Sequence, residues 1–181
     1  MRASDIPNLI TVGRILLVAP VAWALMAEEY PVALILFFVA GVSDAVDGFL
    51  AKRFGWASRL GALLDPLADK FLLVTCYAVL TWNGLLPVWL LLLVLARDLL
   101  IVGGAVVYNF RIERLEADPT LISKLNTLLQ ILLVLLVIIY QATGWGPAQW
   151  IDWLIYAVTV SVVWSGLDYV VTWTRRARSH R

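Results

Sequence analysis

Apolar residues run along this chain in long unbroken blocks, without the alternation of a half-buried strand or the single stripe of a surface helix. About 20 apolar residues suffice for a helix to cross the hydrocarbon core of a bilayer. Six blocks meet that length: Leu9 to Ala27, Tyr30 to Ala51, Gly61 to Trp82, Leu85 to Tyr108, Leu121 to Ala142 and Gln149 to Trp173. The pattern predicts an all-α polytopic membrane protein with six transmembrane helices. Residues 1–181 form a single domain in this reading, with 1–8 at the membrane surface and 174–181 as a basic tail. A soluble bundle would need polar faces on these helices, and the blocks supply none.

Composition sharpens the picture. Hydrophobic residues make up 62% of the chain, where soluble domains sit near half. One cysteine, Cys76, excludes an intrachain disulfide framework and a thiolate metal cluster. One histidine, His180, stands at the C-terminal end, so a histidine-based site is not expected. The formal net charge is only +1 and no nucleic-acid partner is expected.

The placement of charge is more informative. Arg2, then Lys52, Arg53 and Arg59, then Arg111 and Arg114, then Arg175, Arg176, Arg178 and Arg181 all fall on one side of a six-span topology. The opposite loops carry Glu28, Glu29, Asn83 and Gly84, with no lysine or arginine. The positive-inside rule then puts both termini in the cytoplasm. Trp82, Trp145, Trp150, Trp153 and Trp173 fall near span ends, where interfacial anchors belong. The short N-terminus bears an acid and lacks a transit-peptide pattern, so a bacterial inner membrane is the expected location.

Ionisable groups inside spans are costly and mark function by default. Asp44, Asp47 and Gly48 share one helix face, and Gly61, Asp65 and Asp69 share another. A short polar turn joins the two helices, so Asp47 and Asp65 should lie at similar depth, with Asp44 and Asp69 one turn deeper. Four carboxylates converging this way would repel one another unless a divalent cation neutralised them. Oxygen ligands suit magnesium, manganese or calcium, and two ions match four carboxylates. Gly48 and Gly61 let a bulky phosphate approach the backbone, and Lys52, Arg53 and Arg59 stand ready for anionic oxygens. Solvated acids at a helix end would explain one or two of these aspartates, not four on matched faces.

The run Asp44-x2-Asp47-Gly48-x2-Ala51-Lys52-x8-Gly61-x3-Asp65-x3-Asp69 resembles the signature of the CDP-alcohol phosphotransferase family. Lys52 departs from it, since the family usually has arginine there; charge is kept but the bidentate fork is lost. The resemblance implies a six-helix membrane enzyme, usually a homodimer, that displaces CMP with magnesium or manganese at a cytoplasmic-side site. It implies Asp44, Asp47, Asp65 and Asp69 as metal ligands, with Asp69 also the base for the acceptor hydroxyl. Gly48, Ala51, Lys52, Ser58 and Gly61 match positions around the cytidine diphosphate. The opening Pro7-Asn8-Leu9-Ile10-Thr11-x2-Arg14 resembles the segment beside the nucleotide and adds Asn8, Thr11 and Arg14.

Arg97-Asp98 in the fourth span and Pro119-Thr120-Leu121-Ile122-Ser123-Lys124-Leu125-Asn126-Thr127 at the start of the fifth are similar to the CMP-forming cardiolipin synthase branch. That branch joins CDP-diacylglycerol to phosphatidylglycerol. Arg97, Lys124 and Arg59 are then candidates for an acceptor phosphate. The competing reading is phosphatidylglycerophosphate synthase, with glycerol 3-phosphate as acceptor. From other classes, a divalent-cation transporter would place its aspartates near the midplane with access from both sides. An intramembrane prenyltransferase would carry two separated aspartate-rich motifs.

Overall fold

The structure is a computed structural model that describes residues 6–54, 59–111 and 121–179, with side chains described for 9–49, 53–54, 67–103 and 121–169. Every regular element in it is a helix. In chain order they are α1 (Ile6–Met26), α2 (Tyr30–Phe54), α3 (Arg59–Trp82), α4 (Val88–Arg111), α5 (Leu121–Thr143) and α6 (Gln149–Ser179). The six apolar blocks of the sequence are these six helices. Their ends fall within three residues of the sequence reading, except that α6 continues to Ser179 through the expected basic tail.

Among the described residues, four of the helices contain a stretch long and apolar enough to cross a membrane: Leu9–Met26, Tyr30–Phe49, Leu121–Thr143 and Gln149–Tyr169. Their outward faces are also apolar. Leu16, Trp23, Ile35 and Phe38 are each about two-thirds exposed on α1 and α2. Water would be a poor solvent for such faces, and lipid is a good one.

The helices stop where local chemistry stops them. After α3, Gly84 adopts a left-handed backbone (φ 76°). Its amide bonds the Thr81 carbonyl (3.0 Å), and the Leu85 amide reaches back to Leu80 (2.9 Å). This is the paired arrangement of a Schellman cap. Gly144 ends α5 with a single bond to the Tyr140 carbonyl (2.8 Å). The end of α1 has the Schellman pattern too, through Glu28 to Leu25 (3.2 Å) and Glu29 to Ala24 (2.9 Å). Here the left-handed position is held by Glu28 (φ 59°), a residue with a Cβ. Asn83 Nδ2 donates to the Leu25 carbonyl (2.8 Å), tying the end of α3 to the end of α1.

The chain divides into two compact units. One comprises Met1–Leu86 and Val134–Gly146, the other Pro87–Leu133 and Pro147–Arg181, so α5 contributes its two halves to different units. In the first unit α1 packs against both α2 and α3. Its buried positions recur at helical spacing: Val21, Ala24 and Leu25 on α1; Ala33, Phe37 and Ala40 on α2; Ala68, Leu72, Cys76 and Leu80 on α3. The alanines allow close backbone approach, which drives helix association where lipid removes the hydrophobic term. In the second unit α4 packs on α6. Its buried positions are Leu90, Val94 and Arg97 on α4, Asn126, Gln130 and Leu133 on α5, and Val158, Ser161, Val162, Ser165 and Tyr169 on α6.

Candidate active site

The buried stripes of the first unit change chemistry at one end. On α1 the stripe of Val21 and Leu25 continues toward the N-terminus through Arg14 and Thr11, both buried. On α2 the stripe of Ala33, Phe37 and Ala40 continues through Asp44 to the buried Asp47. On α3 Asp69 lies beside the buried Ala68 and one turn before the buried Leu72. The same periodicity that packs the three helices therefore delivers three carboxylates and one guanidinium to one place.

Arg14 is the centre of this cluster. Its Nη1 lies 2.7 Å from Asp44 Oδ1 and 2.6 Å from Asp69 Oδ1. Its Nη2 donates to Asp47 Oδ2. The Thr11 hydroxyl stands 3.5 Å from the same Asp47 oxygen. Arg14 and Asp47 are shut off from solvent at 1% and 3% side-chain exposure, whereas Asp44 and Asp69 are nearly half open at 48% and 44%. The cluster therefore has a closed floor and an accessible rim.

Several sequence expectations can be located on this geometry. Asp44 and Asp69, expected at matching depth on neighbouring helices, meet at a single nitrogen atom. Thr11 and Arg14, assigned to the nucleotide side by resemblance, lie against the carboxylates. Gly48 is one turn beyond Asp44 on α2, and a Cβ there would meet nothing within 4 Å. Internal packing thus does not require this glycine, and open space adjoins it. The side chains of Asp65, Asn8, Ala51, Lys52, Ser58, Arg59 and Gly61 lie outside the described residues. An apolar groove of about 340 Å3 runs beside the cluster, lined by Ile10, Phe38, Val39, Val42, Ser43 and Val46.

Of the acceptor candidates, Arg97 and Lys124 belong to the second unit and Arg59 to the first. Arg97 is buried in α4 and each of its nitrogens has a protein partner. Nε and Nη2 donate to Ser165 Oγ (3.2 and 2.7 Å), Nη2 also to Ser123 Oγ (2.6 Å), and Nη1 to Asp98 (2.8 Å). One side chain thereby joins α4, α5 and α6. A second polar contact lies one turn along α5 and α6, where the Ser161 hydroxyl donates to Asn126 Oδ1 (2.9 Å). Asn126 Nδ2 and Gln130 Nε2 are buried without a hydrogen-bond partner. Lys124, by contrast, is exposed. The partners Ser161 and Ser165 were not singled out from the sequence. Their signal was two serines four apart in an apolar helix, a spacing that puts both on one buried face.

Chemically, the first-unit cluster is a set of hard oxygen donors from two helices, suited to a divalent cation such as magnesium or manganese. Among the described residues no group of acidic, histidine or cysteine side chains closes by itself on a metal-sized volume. The guanidinium stands among the three carboxylates instead. The donor type fits a hard cation, and the residues that would hold one are Asp44, Asp47 and Asp69, joined by Asp65 on the resemblance.

Comparison with known proteins supplies the family. The sequence profile of the CDP-alcohol phosphatidyltransferase family matches residues 4–164. A chloroplastic CDP-diacylglycerol–glycerol-3-phosphate 3-phosphatidyltransferase from Oryza sativa is 35% identical over 93% of this chain and 58% of its own length. Cardiolipin synthase (CMP-forming) from Rattus norvegicus is 35% identical over 71% of the chain and 48% of its own length. The Streptomyces coelicolor cardiolipin synthase (CMP-forming) is 38% identical over 54% of the chain and 48% of its own length. The chain thus spans about half the length of the curated relatives it matches. With the profile covering most of the sequence and the signature aspartates Asp44, Asp47 and Asp69 gathered on packed apolar helices, the chain belongs to the CDP-alcohol phosphatidyltransferase family.

Proposed function

We infer that the chain transfers a phosphatidyl group from CDP-diacylglycerol to the glycerol hydroxyl of phosphatidylglycerol, giving cardiolipin and CMP. The observation that carries the reading is the convergence of Asp44, Asp47 and Asp69 on a single cationic position. Nucleotide diphosphate chemistry needs such a point of opposed charge, and the family acts on CDP-linked alcohols.

A bound magnesium or manganese ion would neutralise the pyrophosphate oxygens and so make CMP an acceptable leaving group. The chain's own residues do the rest. Asp69 is nearly half exposed at the rim, where an acceptor hydroxyl can come within hydrogen-bond reach. Its carboxylate takes the hydroxyl proton as the acceptor oxygen bonds to the phosphorus that carries the diacylglycerol, and the bond from that phosphorus to CMP breaks. Asp47, in the closed floor, holds the cluster in register through Arg14. The open space at Gly48 accommodates the diphosphate. The apolar groove beside α1 and α2 suits an acyl chain of the donor.

In this reading all six helices span the inner membrane of a bacterial cell, the termini and the site face the cytoplasm, and two copies associate. The absence of lysine and arginine from the opposite loops supports the orientation.

The acceptor separates two enzymes. Resemblance at Arg97-Asp98 and at the start of α5, with the rat and Streptomyces relatives, favours phosphatidylglycerol. The rice relative favours glycerol 3-phosphate. A paired assay decides between them: purified protein in detergent with CDP-diacylglycerol, magnesium and one acceptor or the other, following CMP release. CMP formed only with phosphatidylglycerol is the expected result. CMP formed only with glycerol 3-phosphate would make the chain a phosphatidylglycerophosphate synthase.

A further inference from the structure

Two side-chain amides of α5 carry unmet hydrogen bonds. Asn126 and Gln130 are one helical turn apart, so they share a face of the helix. Both are buried, and the amide nitrogens Nδ2 and Nε2 have no acceptor among the described residues. They lie inside the apolar stretch Leu121–Thr143, where no bulk water stands in as a partner. Adhesion between helices accounts for part of this arrangement, since Asn126 Oδ1 accepts from Ser161 on α6 (2.9 Å). It does not account for the donors. Leucine at either position would pack on the same neighbours and leave nothing unsatisfied.

The chemistry left over describes a ligand. A side-chain amide nitrogen donates only and bears no charge. Its complement is an uncharged oxygen acceptor, whereas a doubly charged phosphate in apolar surroundings needs cations. Arg97 is already committed, each of its nitrogens being held by Ser165, Ser123 or Asp98. Order along α5 points the same way. Lys124 is exposed near the start of the helix, Asn126 follows two residues further in, and Gln130 lies another turn, about 6 Å, deeper. A diacyl phospholipid presents its groups in that order, a charged phosphodiester and then neutral ester carbonyls.

The second unit also has room for the chain that follows the ester. Leu125 and Leu129, next in sequence to the two amides, line an apolar groove of about 540 Å3 together with Ala157, Val160 and Ser161 of α6. Ser161 therefore stands between the groove and Asn126. Its hydroxyl also lies 2.9 Å from the Val158 carbonyl, so it can release Asn126 to a ligand and keep an acceptor of its own.

We propose that Asn126 and Gln130 form an acceptor subsite that takes the ester carbonyls of a diacyl phospholipid and so selects phosphatidylglycerol over glycerol 3-phosphate. The subsite rests on the phosphatidyl-transfer reading above. Glycerol 3-phosphate has no ester and gains nothing from these donors.

The test uses full-length protein in detergent micelles with saturating CDP-diacylglycerol and magnesium, following CMP release. Diacyl phosphatidylglycerol is compared with its dialkyl ether counterpart of equal chain length, which lacks the carbonyls. In the unmodified protein the acceptor KM should be about three- to tenfold higher for the ether lipid, at similar kcat. In Asn126→Leu and Gln130→Leu the diacyl KM should rise toward the ether value, and in the double variant the preference should vanish. The KM for CDP-diacylglycerol should not move. Equal KM for the two lipids in the unmodified protein overturns the subsite, and this comparison decides even where a variant does not fold. A preference that survives in the folded double variant, with only its unfolding temperature changed, overturns it in favour of helix adhesion. A rise in the KM for CDP-diacylglycerol instead assigns the amides to the donor and overturns it too. These three failures leave the phosphatidylglycerol reading standing, whereas CMP release with glycerol 3-phosphate alone overturns that reading and the subsite with it.

Discussion

The Arg14 guanidinium and the Asp47 carboxylate form an ion pair from which water is excluded on both sides, with side chains 1% and 3% exposed. Asp47→Asn removes the buried counter-ion of Arg14 and leaves it only the half-open Asp44 and Asp69. The variant should therefore lose about 1–3 kcal/mol of stability. The half-open Asp44 is screened, and Asp44→Asn should cost under about 1 kcal/mol. Denaturant unfolding of both variants in chelator checks the ordering.

Asp69 is bound to the same guanidinium but stands at the rim. Asp69→Asn should keep the helical fold and lose CMP release by about 100- to 10,000-fold, the usual range for removing a general base. Near-normal turnover in this variant would remove Asp69 from the proton-transfer step.

Glu28 holds a left-handed backbone at the end of α1 where Gly84 and Gly144 serve for α3 and α5. A Cβ in that conformation is strained, so Glu28→Gly should stabilise the protein by about 1 kcal/mol. Gly84→Ala should destabilise it by a similar amount. Thermal unfolding of the two variants should shift in opposite directions.

Ser165 accepts from both Nε and Nη2 of Arg97. Ser165→Ala leaves buried donors without their acceptor and should cost about 1–3 kcal/mol. Arg97→Lys, which keeps the charge but not the fork, should fail to rescue stability. If Arg97 also reads an acceptor phosphate, the variants will raise the acceptor KM beyond what lost stability explains.

The sequence made the helices legible because uniform apolar blocks in a bilayer-sized length leave few alternatives. The ends near Gly84 and Gly144 were legible only as the close of the apolar blocks, and the left-handed glycines there are what the structure adds. The convergence of Asp44 with Asp69 followed from spacing alone. Two things did not. The end of α1 carries no glycine, so its Schellman cap at Glu28 had no sequence signal. Arg14 at the centre of the aspartates was hidden because it depends on α1 packing against both α2 and α3, a tertiary fact that no local pattern encodes. The same holds for Arg97, whose acceptors Ser123 and Ser165 are far from it in the chain.

The stripe on α1 that carries both its packing residues and Arg14 has a consequence for what changes of length this protein can absorb. Arg14 and Val21 keep their places only because whole turns separate them, and one extra residue between them would swing Arg14 around the helix by about 100°. Its carboxylates on α2 and α3 would then face an apolar side chain from the lipid side. Loops such as Asn83–Gly84 can be lengthened with little effect on the cluster. The segment from Arg14 to Val21 behaves as a ruler in which every residue counts.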